Sequence, residues 1–511
     1  MRSSFLSSSK QIKYGAVLGY ILLGISTLYG LFSVPFILNY VQTDHFGVYK
    51  SVASIASALA VVDFGLGATM TRYISKFSAT GEKDKTNNFI AMVFIQFFVL
   101  SLALAIISFI FYINIGLVFN ETYDSGQISL AKSLFAFLIL NMALSLLENL
   151  FFGIVNGNER FVFSNSLKIL SIVVKALLIV VLLPITKNII LVVLAETIAS
   201  VVAIGLFVIY SFGKIGIRPR LKKWDMPLFK ESFIYTLLAF IQTVILQFSG
   251  SVDNILIGAI IGAVPVAVYS IALTIYAMYQ NLSSSISNLM LPRITKKVEN
   301  GATYFELEEE VKRFSRFQFF ILAAALGGII CLGKDFYSLW LGKGYEDCYY
   351  LTIILVFSIT LPTIINSAIA ILKAMNKMVT RTIFVAIACA INVAITIPGI
   401  LILGYWGAAI GTALSSISLC IMMGSYYHRL LKFSIFKLYI EITFKTVLCA
   451  GIPTMMIFKI KELFDMSWWW FVLLVVIFMI IYGLLLYFFS MNSEEKNIVF
   501  GKLLMFRKEK K

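Results

Sequence analysis

Two lysines and two glutamates fall where charged side chains are expensive. Lys168 and Lys175 stand seven residues apart in the apolar run 162–183, so on a helix they share one face. In the run before it, Asn141, Ser145 and Glu148 follow at i, i+4 and i+7 and make a polar stripe. Taking the intervening turn as centred near Asn158, Glu148 and Lys168 each lie ten residues from it. They therefore share a depth in an antiparallel helix pair. A similar count through the next, tight connection puts Lys175 near the depth of Glu196. Ionisable groups inside a bilayer usually face the bundle interior or a wet cavity, and they usually pair. Two chemistries are open to this cluster. The charges can neutralise one another and hold helices in register. Alternatively, the lysines bind an anionic substrate and the carboxylates couple its movement to an H+ or Na+ counter-ion.

Other candidates are single residues. Asp63 in VVDFGLG precedes Gly65 and Gly67, which allow close packing or bending, and Asp253 lies in SVDNILIG, near the end of one helix or in the bend before the next. A cap or interhelical hydrogen bond is the simpler role for both aspartates, and ion coupling the sharper one. Arg72 and Arg293 follow matching helices at one rim, where they could guide an anion or anchor at the interface. Asn39, Gln242 and Gln247 are candidate hydrogen-bonders for a polar substrate, and Asn141 belongs with them as a cavity residue. Gly30 and Pro35 weaken one helix ladder and supply a candidate hinge. Metal and redox chemistry have little material. The five cysteines form no CxxC, and there are two histidines, so no cofactor or metal is expected. No P-loop occurs for nucleotide hydrolysis.

The elements that must carry these residues are membrane helices. The chain is 60% apolar with a mean hydropathy of +0.92, well outside the composition of soluble domains. Fourteen apolar segments are expected at 14–38, 46–70, 89–112, 129–155, 162–183, 189–212, 232–251, 254–280, 317–333, 349–372, 382–401, 406–427, 439–458 and 467–490. The first is too long, and too closely followed by others, to be a cleaved signal. The net charge of +16 is not a nucleic-acid signature. Only Lys187, Lys334, Lys343, Lys459 and Lys461 fall in odd-numbered loops, and most of the other cations sit at the termini and in even-numbered loops. That bias predicts cytoplasmic termini and basic loops in a multi-pass membrane protein. The Trp468–Trp470 run reads as an interfacial belt, and FELEEEVKR at 305–313 as an amphipathic surface helix.

The chain also repeats itself. Val48, Tyr49, Met70, Ile74, Ser75 and Lys76 return 220 residues later as Val268, Tyr269, Met290, Ile294, Thr295 and Lys296. IQFFVL at 95–100 returns as FQFFIL at 317–322. A duplicated bundle of helices is a transporter architecture. The expected fold is an all-α polytopic membrane protein with fourteen transmembrane helices. These form two pseudo-symmetric six-helix lobes, 1–213 and 232–430, joined by a basic linker at 214–231. Helices 13 and 14 with a basic tail, 431–511, are added to them.

LGYILLGISTLYGLFSVPFILNYV and FGVYKSVASIASALAVVDFGLGATMTRYISK resemble the first two helices of Wzx-type polysaccharide flippases. QFSGSVDNILIGAIIGAVPVAVYSIA resembles the start of their second half, and GYWGAAIGTALS their twelfth helix. They belong to the polysaccharide-transporter branch of the multidrug/oligosaccharidyl-lipid/polysaccharide superfamily. The resemblance implies flipping of an undecaprenyl-pyrophosphate-linked oligosaccharide between leaflets, without covalent chemistry. The anion for Lys168 and Lys175 would then be the pyrophosphate or an acidic sugar, with membrane lipids and a polysaccharide polymerase as partners. A multidrug antiporter and a lipid II flippase are relatives of the same superfamily. Cation-exporting antiporters usually carry a carboxylate in helix 1, and 14–38 has none. A polymerase would need catalytic Arg, His or Asp residues on a long outer loop, and the longest one, around NETYDSG, lacks Arg, Lys and His.

Overall fold

The computed structural model describes residues 8–59, 65–375 and 377–497, without the side chains of 8, 66, 79, 235–242, 246, 249 and 285–292. Among the described residues every regular element is helical. The first series is α1 (Ser8–Tyr40), α2 (Thr43–Leu59), α3 (Leu66–Ala79), α4 (Lys83–Phe119), α5 (Ser125–Gly157), α6 (Phe161–Thr186) and α7 (Ile190–Ile209). It is followed by α8 (Met226–Ile261), α9 (Ala263–Glu299), α10 (Tyr304–Leu341), α11 (Glu346–Ile364), α12 (Ile369–Ala374), α13 (Met378–Leu403), α14 (Tyr405–Leu431), α15 (Ile435–Ile460) and α16 (Trp468–Leu485). Twelve described helices are long and apolar enough to cross a bilayer. The two other expected crossings fall on α2–α3, interrupted by residues outside the description, and on α8, where part of the side chains is undescribed.

Helix bounds carry the repeat further than residue identities do. From the start of α2 to the end of α3 the chain runs Thr43 to Ala79, and α9 runs Ala263–Glu299, both bounds shifted by 220. For α6 and α13 both bounds shift by 217.

By contact the chain forms two compact units, Met1–Ser270 with Ile400–Tyr405, and Ile271–Gly399 with Trp406–Lys511. The division thus differs from one at the basic linker, 214–231, and the end of α8 supplies the reason. Asn254 donates to Ser54 of α2 at 3.1 Å, and Thr122 donates to the Gly258 carbonyl at 2.8 Å. The linker itself is tied back to α4. The backbone N–H groups of Arg218 and Lys222 donate to the side-chain oxygens of Asn87 and Asn88 at 2.9 and 2.8 Å, and Asp225 caps α8.

In the first unit α5 approaches α3 closely at Gly153 and Gly157. The hydroxyls of Thr71 and Ser75 donate to the carbonyls of Gly153 and Gly157 at 3.4 and 3.1 Å. A Cβ on Gly153 would lie 2.5 Å from the Gly67 carbonyl oxygen and 2.8 Å from the Met70 Cβ. Small residues permit this approach, and in lipid such packing is what holds helices together. Gly153→Ala is expected to force α3 and α5 apart and cost about 1–3 kcal/mol or more. A lowered midpoint of thermal unfolding in detergent, relative to an Ala substitution at lipid-facing Ile110, checks it.

Helix ends decide between two alternatives at Asp253 and change one other expectation. Asp253 lies inside α8, eight residues before its last residue, and not in a bend, because the helix continues to Gly262, whose φ of 99° favours glycine. The amphipathic stretch 305–313 is the beginning of α10 and no separate surface helix. Thr303 and Glu306 close a capping box there, and nothing interrupts the backbone ladder into the apolar part.

Around α10 in the second unit, Leu322, Cys331, Val356, Cys449 and Phe478 are buried together. Arg316 on α10 joins the tail to this core. Its Nε and Nη2 donate to Glu495 at 2.7 and 3.1 Å, and Nη2 and Nη1 also donate to the carbonyls of Ser490 and Glu441 at 2.7 and 3.2 Å. At the start of α16 Trp468, Trp469 and Trp470 are all exposed, as an interfacial belt requires.

Candidate functional site

The first unit gathers charges on four packed helices. Lys175 of α6 meets Glu196 of α7 at 3.1 Å, and its ammonium lies 5.4 Å from the centre of the Tyr29 ring of α1. Glu148 of α5 lies within electrostatic range of both Lys168 and Glu196. Lys168 rests its ammonium 3.7 Å from the centre of the Phe152 ring, an attractive cation–π contact. The depth count along α5, α6 and α7 therefore placed four charges together, as the spacing predicted.

The structure adds residues that spacing did not single out. Lys50 of α2 acts electrostatically on Lys175 and Glu196, and its ammonium lies 5.2 and 5.5 Å from the ring centres of Phe46 and Tyr49. Tyr49 belongs to the same field. Among the described residues, Lys50, Lys168 and Lys175 are grouped with Glu148 and Glu196, three cations to two carboxylates. The sequence did hold a signal. Lys50 directly follows the repeated Tyr49, and the copy of that position in the second half is Ser270. A lysine kept where its copy is neutral marks a one-sided need for charge.

The remaining candidates separate from this cluster. Asn141 is buried. It donates to the Val193 carbonyl at 3.2 Å and accepts from Thr197 at 2.6 Å, so both ends of its amide bridge α5 to α7 rather than line a cavity. Asp253 is buried and accepts a 2.7 Å hydrogen bond from Tyr269 of α9. Asn39 is exposed beside the end of α1, and Gln247 is exposed on α8. Asp63 and the side chain of Gln242 lie outside the described residues. Gly30 and Pro35 sit within an uninterrupted α1. Arg72 is exposed on α3, its guanidinium 5.9 Å from the Tyr73 ring centre. Arg293, in the second unit, donates to Glu310 at 2.9 Å beside Lys297 at 2.8 Å. That triad pins α9 to α10.

Such an arrangement can hold an anion and neutralise it by non-covalent contact. Among the described residues no group of His, Cys, Asp and Glu has the spacing to hold a metal ion, and all five cysteines are free thiols.

A family model described as polysaccharide biosynthesis protein matches residues 16–298, more than half of the chain and the whole of α1 to α8 beyond Gly15. The chain belongs to that family. No curated protein sequence matches it significantly. Among solved structures it resembles the lipid II flippase MurJ in an inward closed conformation, at 18% identity and a TM-score of 0.72, over 96% of this chain and 100% of the other. It also resembles an inward-facing multidrug resistance MATE family transporter of the MOP superfamily, at 14% identity and a TM-score of 0.69, over 80% of this chain and 95% of the other. The fold is thus shared with both of these structures, and this member of the polysaccharide biosynthesis family is a multi-pass membrane protein.

Proposed function

We propose that the protein moves an undecaprenyl-pyrophosphate-linked oligosaccharide, a repeat unit of O-antigen, capsule or exopolysaccharide, from the inner to the outer leaflet of the bacterial cytoplasmic membrane. The carrying observation is the excess of cations in the first unit, where among the described residues three lysines are grouped with two glutamates. A pyrophosphate is a strong partner for such a field, because point charges attract it more as water is excluded. The family match supports a polysaccharide precursor as cargo. Movement proceeds by alternating access, with both termini cytoplasmic. Glu148 and Glu196 couple it to an H+ or Na+ counter-ion. Arg72 delivers the headgroup at the rim, Arg293 contributes by fixing its helix, and the exposed amides of Asn39 and Gln247 meet sugars.

The multidrug antiporter is the second reading, favoured by the resemblance to a MATE transporter. Against it, α1 carries no Asp or Glu anywhere in Ser8–Tyr40. Reconstitution decides between them. Proteoliposomes holding a fluorescent undecaprenyl-pyrophosphate oligosaccharide are expected to expose it to an external glycosidase only when the protein and an ion gradient are present. Gradient-driven efflux of a cationic dye without glycan exposure would replace the flippase reading.

A further inference from the structure

Among the described residues, the second unit holds a cation without an acid beside it. α11 stops at Ile364, a tighter turn covers Asn366–Ala368, and α12 resumes at Ile369. Pro362 inside α11 removes a ladder donor there. The carbonyls freed by the break are met by side chains: Tyr439 donates to the Leu361 carbonyl at 2.8 Å, and Gln318 donates to that of Thr363. Interrupted backbone at membrane depth is tolerated where it is buried in protein or lines a cavity. Both hold in this case. A cavity of about 50 Å³ opens beside the break, with Asn366, Arg381, Cys420, Tyr427 and Tyr439 among its lining residues.

Arg381 stands out among the cations of this unit. Arg316 has Glu495 and Lys461 has Asp335, at 2.7 Å each. Arg381 has the Tyr427 phenol as its electrostatic neighbour, and among the described residues no carboxylate pairs with it. An arginine does not shed its proton, and its planar fork fits phosphate oxygens two at a time. A desolvated charge without a partner costs several kcal/mol, so the counter-charge is expected from outside the chain. The repeat points the same way. With the shift of 217 that relates α6 to α13, Arg381 occupies the place of Ser164, one turn before Lys168. The second half thus carries its own cation near the copy of the first half's site, but without the first half's glutamates.

The cavity selects the ligand by size and position. Its volume is that of roughly three to five waters, which suits one phosphate group and excludes a sugar chain. α13 begins directly after Lys377, and Lys373 lies in the last turn of α12, a basic edge at the level where anionic headgroups lie. We propose that Arg381, with Asn366 and Tyr427, binds a phosphate group in this cavity, supplied by the headgroup of an anionic bilayer lipid. The proposal does not depend on which lipid is carried.

The test uses the full-length protein in a maltoside detergent, which carries no phosphate. Bound lipid is counted by native mass spectrometry after addition of phosphatidylglycerol or of diacylglycerol, with inorganic phosphate as a competing arm. The wild type is expected to retain phosphatidylglycerol at least tenfold better than Arg381→Gln, and to show no preference for diacylglycerol. Arg381→Lys, which keeps the charge and loses the fork, should retain an intermediate amount and guards against a misfolded glutamine variant. Binding of inorganic phosphate that is lost in Arg381→Gln, without lipid retention, keeps phosphate at Arg381 and assigns the free ion as its source. Equal retention of phosphatidylglycerol by wild type and both variants, with no phosphate-dependent difference, overturns the site.

Discussion

Lys168→Ala with Lys175→Ala is expected to abolish surface polysaccharide export while the protein still inserts in the membrane. The double substitution removes two of three cations and leaves Lys50 against Glu148 and Glu196. The field then changes sign and repels a pyrophosphate. At an effective dielectric of 20, like charges 4 Å apart repel by about 4 kcal/mol, near a thousandfold in affinity. The measurement is polymer on the cell surface by immunoblot, with membrane abundance of the protein as control. A quadruple variant that adds Glu148→Gln and Glu196→Gln separates the two roles of the cluster. If the charges only hold helices in register, neutralising all four restores export, since a buried pair can often be replaced by neutral groups at little cost. If the lysines meet the cargo, the quadruple variant stays inactive though stable. Normal polymer display in the double variant removes the cationic-site reading altogether.

The second large effect concerns stability. Arg316→Leu is expected to destabilise the second unit by about 3–5 kcal/mol, because it strands the Glu495 carboxylate in a buried place. It also leaves the Ser490 and Glu441 carbonyls without their donor. Arg316 and Glu495 have side chains exposed by only 8% and 5%, so water cannot replace the lost partner. Adding Glu495→Leu to the first change is expected to recover most of the loss. Thermal unfolding in detergent of the two single variants and the double variant gives the coupling between them. Additive losses, with no recovery in the double variant, would show that the pair contributes nothing beyond packing.

Much of this protein was legible before any coordinates. Membrane helices declare themselves by length and composition, since about 20 apolar residues are needed wherever a helix crosses. The fold class, the duplication and the antiparallel pairing of α5, α6 and α7 all follow from such local counting. So did the meeting of Glu148, Lys168, Lys175 and Glu196, because short connections leave depth as the only free variable. The family membership rests on the same kind of ordered, locally readable segments.

Residues that depend on non-neighbouring helices were out of reach. Lys50 joins the cluster only because α2 lies beside the charges of α6 and α7, a matter of which faces pack and not of spacing. Asn141 looked like a cavity residue on the stripe with Glu148, yet it turns its amide onto α7, whose Val193 and Thr197 complete it. The break at Ile364 could not be read from Pro362 alone, since Pro35, Pro398 and Pro453 sit in helices that continue for more than a turn beyond them. What ended α11 was the offer of side-chain donors from Tyr439 and Gln318, on helices distant in sequence. Arg381 falls between the expected segments 349–372 and 382–401 with nothing to mark it, and its place in a cavity beside that break came only from folding. The sequence by itself determined which segments enter the membrane and how deep each charge lies, because hydrophobic length is a local property. Tertiary structure decided which charges share a partner and which remain without one, because that depends on the rotation of each helix against neighbours far along the chain.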